Sequence, residues 1–380
     1  MKSDCETGDT FAARVVAWQR EHGRCDLPWQ QTRDAYRIWL SEIMLQQTQV
    51  VTVLRYYPRF VDAFPDVGAL AAAPLSRVLE LWSGLGYYRR AHHLHAAARS
   101  VVDRFNGRFP VDAANLITLP GIGRSTAAAI AAFASNERGA ILDGNVKRVL
   151  ARHRGIDGWP GEPRVEALLW RAADALLPKC EDIATYTQGM MDVGATICTR
   201  SRPRCERCPV AVDCVARRDA RIDELPAPRP RKALPRREVA VLLIEHDRRI
   251  LLERRPDTGV WPGLLGLPEL PIDADIAAAV TARFGRPPVA MQRLPRLTHA
   301  FTHFVLDMQP VRVVLNAHSP HVAQPSIEWL SAVGASRAAV PAPVRTLLLA
   351  LRRCHDINRS DAMMPSCARP SGSTTSSSNG

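Results

Sequence analysis

Two carboxylic acids lie in settings that could support chemistry. Glu42 lies within Trp39–Leu45, among large apolar side chains. Burial there would raise its pKa and keep it protonated as a general acid, although most glutamates on amphipathic helices are simply solvated. Asp143 comes just before a helical run, where an N-cap is the better interpretation from the sequence alone. Neither acid identifies a function by itself.

Four of the nine cysteines form a cluster with the spacing C-x6-C-x2-C-x5-C: Cys198, Cys205, Cys208 and Cys214. Because the N-terminus has no apolar core of the signal-peptide kind, we expect an intracellular chain in which such a cluster binds metal. Zinc modules usually show paired C-x2-C knuckles with a longer insert between them. Four unevenly spaced thiolates can each hold one iron of a cubane cluster. The spacing favours iron–sulfur and leaves zinc open.

A glycine-containing turn, Leu119–Gly123, lies between two helical patterns. Gly121 and Gly123 allow a tight turn whose N–H groups point at the start of the next helix, as in phosphate-binding turns. Most such turns merely connect helices, so this signal is weak alone. The arginines between the clustered cysteines could likewise form a phosphate-binding edge or an ordinary solvated charge run.

The overall composition indicates a polyanionic partner. The chain has 380 residues, a formal net charge of +12 and a pI near 9.7. This length suits two or three domains, and the charge favours nucleic acid over a membrane surface. No apolar stretch approaches the 18 residues of a membrane span.

The pattern of apolar residues changes along the chain. Residues 11–218 show helical periodicity, with breaks expected at prolines such as Pro58 and Pro65. Short β-rich runs follow (239–244, 249–252, 304–306 and 311–315), with one helical stretch near Ile276–Phe284. We therefore predict a helical domain (1–224) containing the cysteine loop (198–214), a Pro- and Arg-rich linker (225–237), an α+β domain (238–355) and a disordered tail (356–380).

Five motifs occur in order: SEIMLQQTQV (41–50), GLGYYRRA (84–91), LPGIGRSTA (119–127), LDGNVKRVL (142–150) and the four-cysteine loop. Together they resemble the adenine-specific branch of the helix-hairpin-helix DNA glycosylases, the MutY family, over roughly residues 10–345. The resemblance implies a mainly α fold with a two-lobed helix-hairpin-helix domain and a C-terminal α+β Nudix-like domain. It also decides for a [4Fe-4S] cluster on Cys198, Cys205, Cys208 and Cys214.

The resemblance assigns roles to matching positions. Glu42 would protonate adenine N7 and Asp143 would stabilise the cationic sugar. Gln47 and Tyr87 match residues that fill the gap left by the extruded base. Further substrate contacts are expected at Gly121, Gly123, Ser125, Asn145 and Lys147. Strand-cleaving relatives carry a lysine where this chain has Ser125, so we expect base removal without an efficient lyase step.

In the second domain, Val260–Glu269 resembles the Nudix entry loop, which raises the rival function of a nucleotide pyrophosphatase. Residues 270–284 contain only Asp273 and Asp275 as acids, too few for a magnesium-binding helix. We therefore expect this domain to bind a ligand without catalysing a reaction. The segment Phe301-Thr302-His303 aligns with the Phe-Ser-His segment that reads 8-oxoguanine in the family, and Thr302 keeps the hydroxyl but adds a methyl group.

The expected partner is double-stranded DNA with adenine opposite 8-oxoguanine or guanine. We expect a monomer acting in the cytoplasm, on the nucleoid, with no membrane partner. Two other functions stay open from the sequence: a non-catalytic DNA-binding protein, and a glycosylase of the same fold for thymine glycol or uracil. Activity on defined mispairs would separate them.

Overall fold

A computed structural model describes residues 9–179, 182–230, 233–256, 258–316 and 326–361, with side chains up to residue 352. It divides the chain into two compact units, Met1–Ala233 and Leu234–Gly380. The first unit is helical, and the second is built on a sheet. None of the described helices is both long and apolar enough to cross a membrane.

The helical unit buries its apolar faces in two groups of helices. Trp39, Phe60 and Trp82 are almost wholly buried in the first, and Val15 and Leu150 belong to the second. Short polar side chains accept backbone N–H groups at several helix starts, which satisfies donors that the helix leaves free. The helices are α1 (Phe11–His22), α2 (Ala35–Leu45), α3 (Val50–Ala63), α4 (Val67–Ala72), α5 (Leu75–Trp82), α6 (Arg89–Phe105), α7 (Ala113–Leu116), α8 (Arg124–Ser135), α9 (Gly144–Arg154), α10 (Pro163–Ala175), α11 (Ile183–Asp192) and α12 (Val215–Arg218).

Helix α3 continues through Pro58, so the break expected there is wrong. An interior proline removes one backbone hydrogen bond and costs about 3 kcal/mol. The same turn buries Tyr57 and Phe60, and full burial of a large apolar side chain is worth roughly 1.5–3 kcal/mol. The Tyr57 hydroxyl also donates to the Arg37 carbonyl at 3.3 Å. Burial on both sides of the proline therefore offsets its cost.

The second unit contains a mixed eight-stranded sheet. Its elements are β1 (Arg236–His246), β2 (Arg249–Arg254), β3 (Leu265–Gly266), β4 (Glu269–Pro271), α13 (Ile276–Phe284), β5 (Ala290–Arg293), β6 (Leu297–Ala300), β7 (Val305–Val314), β8 (Ile327–Ser331), α14 (Ala332–Arg337) and α15 (Ala342–Asp361). β1 and β7 pair in parallel. Val241 and Leu243 pack with α14 and α15, while Leu242 and Ile244 pack with α13. The strand period of two thus buries both faces of the sheet.

β7 is one continuous strand, although the sequence predicts two, at 304–306 and 311–315. Pro310 lies inside it. β6 pairs with residues 305–308 and β5 pairs with residues 311–314, so Pro310 lies between the two partner strands. A residue without an N–H is tolerated where the ladder is interrupted. The predicted helix at Ile276–Phe284 is confirmed.

The Pro- and Arg-rich run is more ordered than its composition suggests. Leu225 is 2% exposed, and the Arg229 guanidinium lies 5.6 Å from the centre of the Trp159 ring, so its first residues pack on the helical unit. Its last two, Arg236 and Arg237, pair with β7 as part of β1. Tertiary partners that a compositional argument cannot see explain both differences.

The predicted disordered tail also begins too early. Helix α15 continues to Asp361, so residues 356–361 are helical. An apolar helix face that packs on the sheet through Val344, Leu348 and Leu351 gives this helix its tertiary support. The rest of the tail, 362–380, lies outside the described residues.

Candidate active site

A cavity of about 420 Å³ opens in the helical unit, lined by residues of the α1–α2 connection, α2, α8 and α11. Trp29, Ile38 and Phe133 contribute large apolar side chains, while most of the other lining residues are polar or charged, among them Glu42 and Gln188. This volume lies in the range of small-molecule sites. Apolar rings beside hydrogen-bonding groups suit a planar heterocycle, whose faces are apolar and whose edges form hydrogen bonds.

Glu42 is the carboxylic acid of this cavity. It lies on α2, where the neighbouring Ile38, Ile43 and Met44 are each 2% exposed or less. Burial, and secondarily the nearby Asp143 carboxylate, raise the pKa of Glu42 to about 8. A carboxyl group with this pKa carries a proton at neutral pH and can transfer it to a base in the cavity.

Asp143 is the N-cap of α9, as the sequence alone suggests. Its carboxylate also lies close enough to Glu42 for its charge to raise the pKa of Glu42. Its Oδ1 accepts the Val146 N–H at 2.8 Å. Burial raises the pKa of Asp143, while hydrogen bonds from Val146 and Asn145 and the charge of Arg148 act in the opposite direction. The cap and a charge-stabilising role are therefore compatible, because capping fixes where the carboxylate points.

Asn145 connects Asp143 to the cysteine loop. Its Nδ2 donates to Asp143 at 3.3 Å, and its Oδ1 accepts from Arg148 at 2.9 Å. Arg148 in turn donates to the carbonyls of Gly194 and Cys198, both at 2.7 Å. Asn145 is predicted to contact DNA, but in the structure its side chain lies within this network. The network links the Asp143 carboxylate, through Asn145 and Arg148, to the backbone of the first clustered cysteine.

The hairpin between α7 and α8 needs its first glycine for two reasons. Gly121 has φ +80°, and a Cβ there would lie 2.8 Å from His93 Cβ. Gly123 is the N-cap residue of α8, and a Cβ there would meet nothing within 4 Å, so the turn is open on that side. The Gln46 amide donates to the Gly121 carbonyl at 3.5 Å and to Thr126 at 3.4 Å. The hairpin is thereby joined to the end of α2.

Ser125 and Lys147, both predicted to contact the substrate, have intramolecular partners. Ser125 Oγ accepts the Leu142 N–H at 2.9 Å, which fixes the segment before Asp143. Lys147 Nζ lies 2.6 Å from Glu166 Oε1. A lysine held by a carboxylate is poorly placed to attack a sugar as a free amine.

The four clustered cysteines line one cavity and none of them is in a disulfide. Arg152 donates to Cys198 Sγ at 3.5 Å and to the Thr199 carbonyl at 2.7 Å. Burial raises the pKa of Cys208 to about 12. Beside Cys214, Asp213 accepts from Arg14 at 2.8 Å, so the loop is tied to α1.

The four cysteines form a donor set made only of thiols. Within the described ranges, no three His, Cys, Asp or Glu side chains form a group that could hold one metal ion. A zinc site needs four thiolates about 2.3 Å from one atom, whereas each thiolate of a cubane cluster binds its own iron. Four thiols around one cavity are a donor set that such a cluster could use.

The two exposed residues expected to enter DNA lie on neighbouring loops. Gln47 follows α2 with φ +56°, and Tyr87 precedes α6 with φ +49° and is 50% exposed. Left-handed backbone is uncommon for residues other than glycine, and it persists only where the surroundings enforce it. Arg90, which is buried, contacts both loops. Burial lowers the pKa of Arg90 to about 10, so it stays charged at neutral pH.

In the second unit, Phe301, Thr302 and His303 form the turn between β6 and β7. The Phe301 ring stacks on Phe304 at 4.5 Å and lies 5.2 Å from Trp261. Thr302 and His303 are exposed at the tip. The turn therefore presents two polar side chains on a rigid aromatic base. Helix α13 carries no carboxylate along Ile276–Phe284, which is unlike a magnesium-binding helix.

Several residues of the site were missed from the sequence. Trp29 and Gln188 line the cavity, and Arg24 donates to the wholly buried Asp192 at 2.8 Å beside it. Arg90 and Arg148 hold loops and carboxylates in place. Trp29 lies in a short Leu-Pro-Trp sequence before α2, and this local pattern could have drawn attention to it. The arginines gave no local signal, because most of their acceptors lie far away along the chain.

Comparison with known proteins gives consistent matches. Residues 40–174 match the HhH-GPD superfamily base excision DNA repair protein family, and residues 239–350 match the NUDIX domain family. An adenine DNA glycosylase of Buchnera aphidicola subsp. Acyrthosiphon pisum is 33% identical over 344 residues, covering 89% of this chain and 96% of that protein. The human adenine DNA glycosylase is 33% identical over 393 residues, covering 87% and 72%. The structure of a thermostable thymine-DNA glycosylase matches with TM-score 0.50 and 29% identity, covering 55% of this chain and 95% of that one.

Proposed function

The chain belongs to the adenine DNA glycosylase family, and from this premise we propose that it hydrolyses adenine from pairs with 8-oxoguanine or guanine, without an efficient strand-cleaving step. It is a DNA N-glycosylase of base excision repair, with a helix-hairpin-helix domain and a C-terminal Nudix-like domain. The family, the fold class and the enzyme class predicted from the sequence are thereby confirmed. The mispair and the reaction type are the proposal.

The observation that carries the proposal is Glu42, protonated in a cavity of suitable size with Asp143 nearby. Adenine leaves poorly as an anion, so Glu42 donates its proton to N7 as the bond to C1′ breaks. The electrons of that bond stay on the base, and the Asp143 carboxylate stabilises the cationic sugar. Water then bonds to C1′ and gives up a proton that restores the Glu42 carboxyl group, which leaves an abasic site and neutral adenine.

Two features support hydrolysis over lyase chemistry. Ser125 occupies the position of the lysine in strand-cleaving relatives and is bonded to Leu142. Lys147, the nearest lysine in sequence to Asp143, is paired with Glu166. With no free amine at either of these two positions, we expect no efficient imine formation, so the strand stays intact until alkali cleaves the abasic site.

The remaining parts of the site support the substrate assignment. Gln47 and Tyr87 fill the gap left by extruded adenine, and the Gly121–Gly123 hairpin with the basic residues around it binds phosphates. Phe301, Thr302 and His303 read 8-oxoguanine. Cys198, Cys205, Cys208 and Cys214 would hold a [4Fe-4S] cluster, which would fix the fold of the cysteine loop. We further propose that the protein acts as a monomer in the cytoplasm, on the nucleoid.

The test is base release from three duplexes that differ at one position: adenine opposite 8-oxoguanine, guanine or thymine. We expect adenine from the first two and none from the third, with strand breaks only after alkali. Release of thymine instead of adenine would contradict the proposed substrate. Alkali-independent breaks at the rate of base release, with a product trapped by borohydride, would contradict the hydrolytic mechanism.

A further inference from the structure

Two loops carry the exposed side chains Gln47 and Tyr87, and we call them the wedge loops. The first, residues 46–49, joins α2 to α3, and the second, residues 83–88, joins α5 to α6. Both tips have left-handed backbone, at φ +56° and +49°. Side chains at such tips keep a fixed direction only if something holds the loops from behind.

Arg90, in the first turn of α6, lies behind both loops and is 8% exposed. Its Nη1 donates to three carbonyls at the end of α2 and in the first loop, those of Ile43 (3.0 Å), Met44 (2.7 Å) and Gln46 (2.6 Å). Its Nη2 donates to Thr48 Oγ1 (3.0 Å) and to two carbonyls of the second loop, those of Leu85 (3.3 Å) and Gly86 (3.2 Å). One planar group therefore joins both loops.

The chemistry of this contact requires arginine. A guanidinium presents several donors in a rigid fork, whereas a lysine ammonium is a single point that cannot reach two loops at once. The cation also lies 5.2 Å from the Trp82 ring centre and 5.7 Å from that of Tyr87, so it contacts the Tyr87 side chain as well as its loop. The carbonyls at the end of α2 are acceptors that the helix leaves free.

We propose that Arg90 is a positioning residue that locks the two wedge loops together, so that Gln47 and Tyr87 enter the duplex as one unit during extrusion of the base. This inference rests on the wedge role given to these two residues under the proposed function. Arg90 does not touch the reacting atoms. It sets the distance and direction between two side chains that do contact DNA.

The experiment compares single-turnover excision from two duplexes, adenine opposite guanine and adenine opposite a stable abasic analogue. The second has no partner base, so less pairing and stacking must be replaced by the wedge. The variants are Arg90→Lys, Arg90→Met and the double variant Gln47→Ala/Tyr87→Ala. Arg104→Lys is the matched control, since Arg104 is exposed, lies on the same helix and has its described contacts with Ser100, Thr118 and the Phe105 ring.

We expect both Arg90 variants to lose about 10–100-fold on the mispair, the usual effect of a small misplacement, and much less on the abasic duplex. A loss that is equal on both duplexes would reflect general damage to α2 or to the fold and would overturn the inference, as would no loss at all. Combining Arg90→Lys with the double variant should add little, because the positioned side chains are then absent. If the double variant itself treats both duplexes alike, the wedge assignment fails first, and the inference fails with it.

Discussion

The cavity around Glu42 and the Phe301–His303 turn are both candidate sites for a DNA base, yet they are built in opposite ways. The first buries a carboxyl group on α2, and this burial raises its pKa to about 8. The second exposes Thr302 and His303 on an aromatic base. Proton transfer needs a group with a shifted pKa, whereas recognition needs accessible donors and acceptors. Under the proposed function, catalysis belongs to the first unit and recognition of 8-oxoguanine to the second.

The strongest test of this difference between the two sites is Glu42→Gln, which keeps the shape of the side chain but removes the transferable proton. We expect adenine release to fall by about 10²–10⁴-fold, the usual contribution of a general acid, while mismatch binding stays near normal. Single-turnover kinetics and gel-shift titration measure the two. His303→Ala is the matched change in the other unit and should leave excision opposite guanine intact.

The same group fixes the pH dependence. Glu42 is active when protonated, and its pKa is raised to about 8. Excision should therefore be retained through neutral pH and fall as the pH rises through about 8. A rate that keeps rising above this pH would remove Glu42 as the acid.

The next largest effect is expected at Asp143, where a substitution can separate its role as a helix cap from its proposed role in stabilising the sugar cation. Asparagine caps helices as well as aspartate does but carries no charge. Asp143→Asn should therefore fold normally and lose about 10²–10³-fold in excision, as expected when one transition-state contact is removed. Asp143→Ala should in addition lose about 1 kcal/mol of stability. Full activity in the asparagine variant would reduce Asp143 to a helix cap.

These residues also show how much of the site could be predicted from the sequence. The apolar neighbours of Glu42 and the spacing of the four cysteines are local patterns, and both gave chemistry that the structure can accommodate. The hydrogen bonds Arg148–Cys198 and Arg90–Ile43 could not be predicted, because their partners are 50 and 47 residues apart. The expectation that proline interrupts a helix or a strand was also wrong at Pro58 and Pro310. In each case a tertiary feature, burial or a gap in the ladder, outweighed the intrinsic preference of proline.

The cysteine loop offers a test confined to the helical unit. Cys208→Ser should abolish iron binding, and the intact protein should contain about four irons per chain. Loss of the cluster should destabilise this unit by an amount on the order of several kcal/mol and leave the second unit folded. Iron analysis and calorimetry measure these effects, with Cys25→Ser as control because Cys25 is exposed and outside the loop. Stoichiometric zinc without iron would contradict the cluster.

The smallest expected effect concerns the second unit alone. His303→Ala should lower the preference for 8-oxoguanine over guanine opposite the adenine by about 1–3 kcal/mol, the value of one good base contact. Phe301→Ala should act in the same direction, but it also removes a ring that stacks on Phe304, so its effect includes local loosening. Thr302→Ser is the control, because it keeps the hydroxyl and removes only a methyl group.

A truncated chain sharpens the same comparison. The cut belongs after Pro230, because Leu225 is buried and Arg229 lies against Trp159 on the helical unit. This fragment contains Glu42, Asp143, the hairpin and all four cysteine ligands, so it should still release adenine opposite guanine. It should lose at least as much of the 8-oxoguanine preference as His303→Ala does, because the cut removes the whole Phe301–His303 turn. If the fragment kept the full preference, the helical unit would read the lesion itself, and the exposed turn of the second unit would require a different ligand.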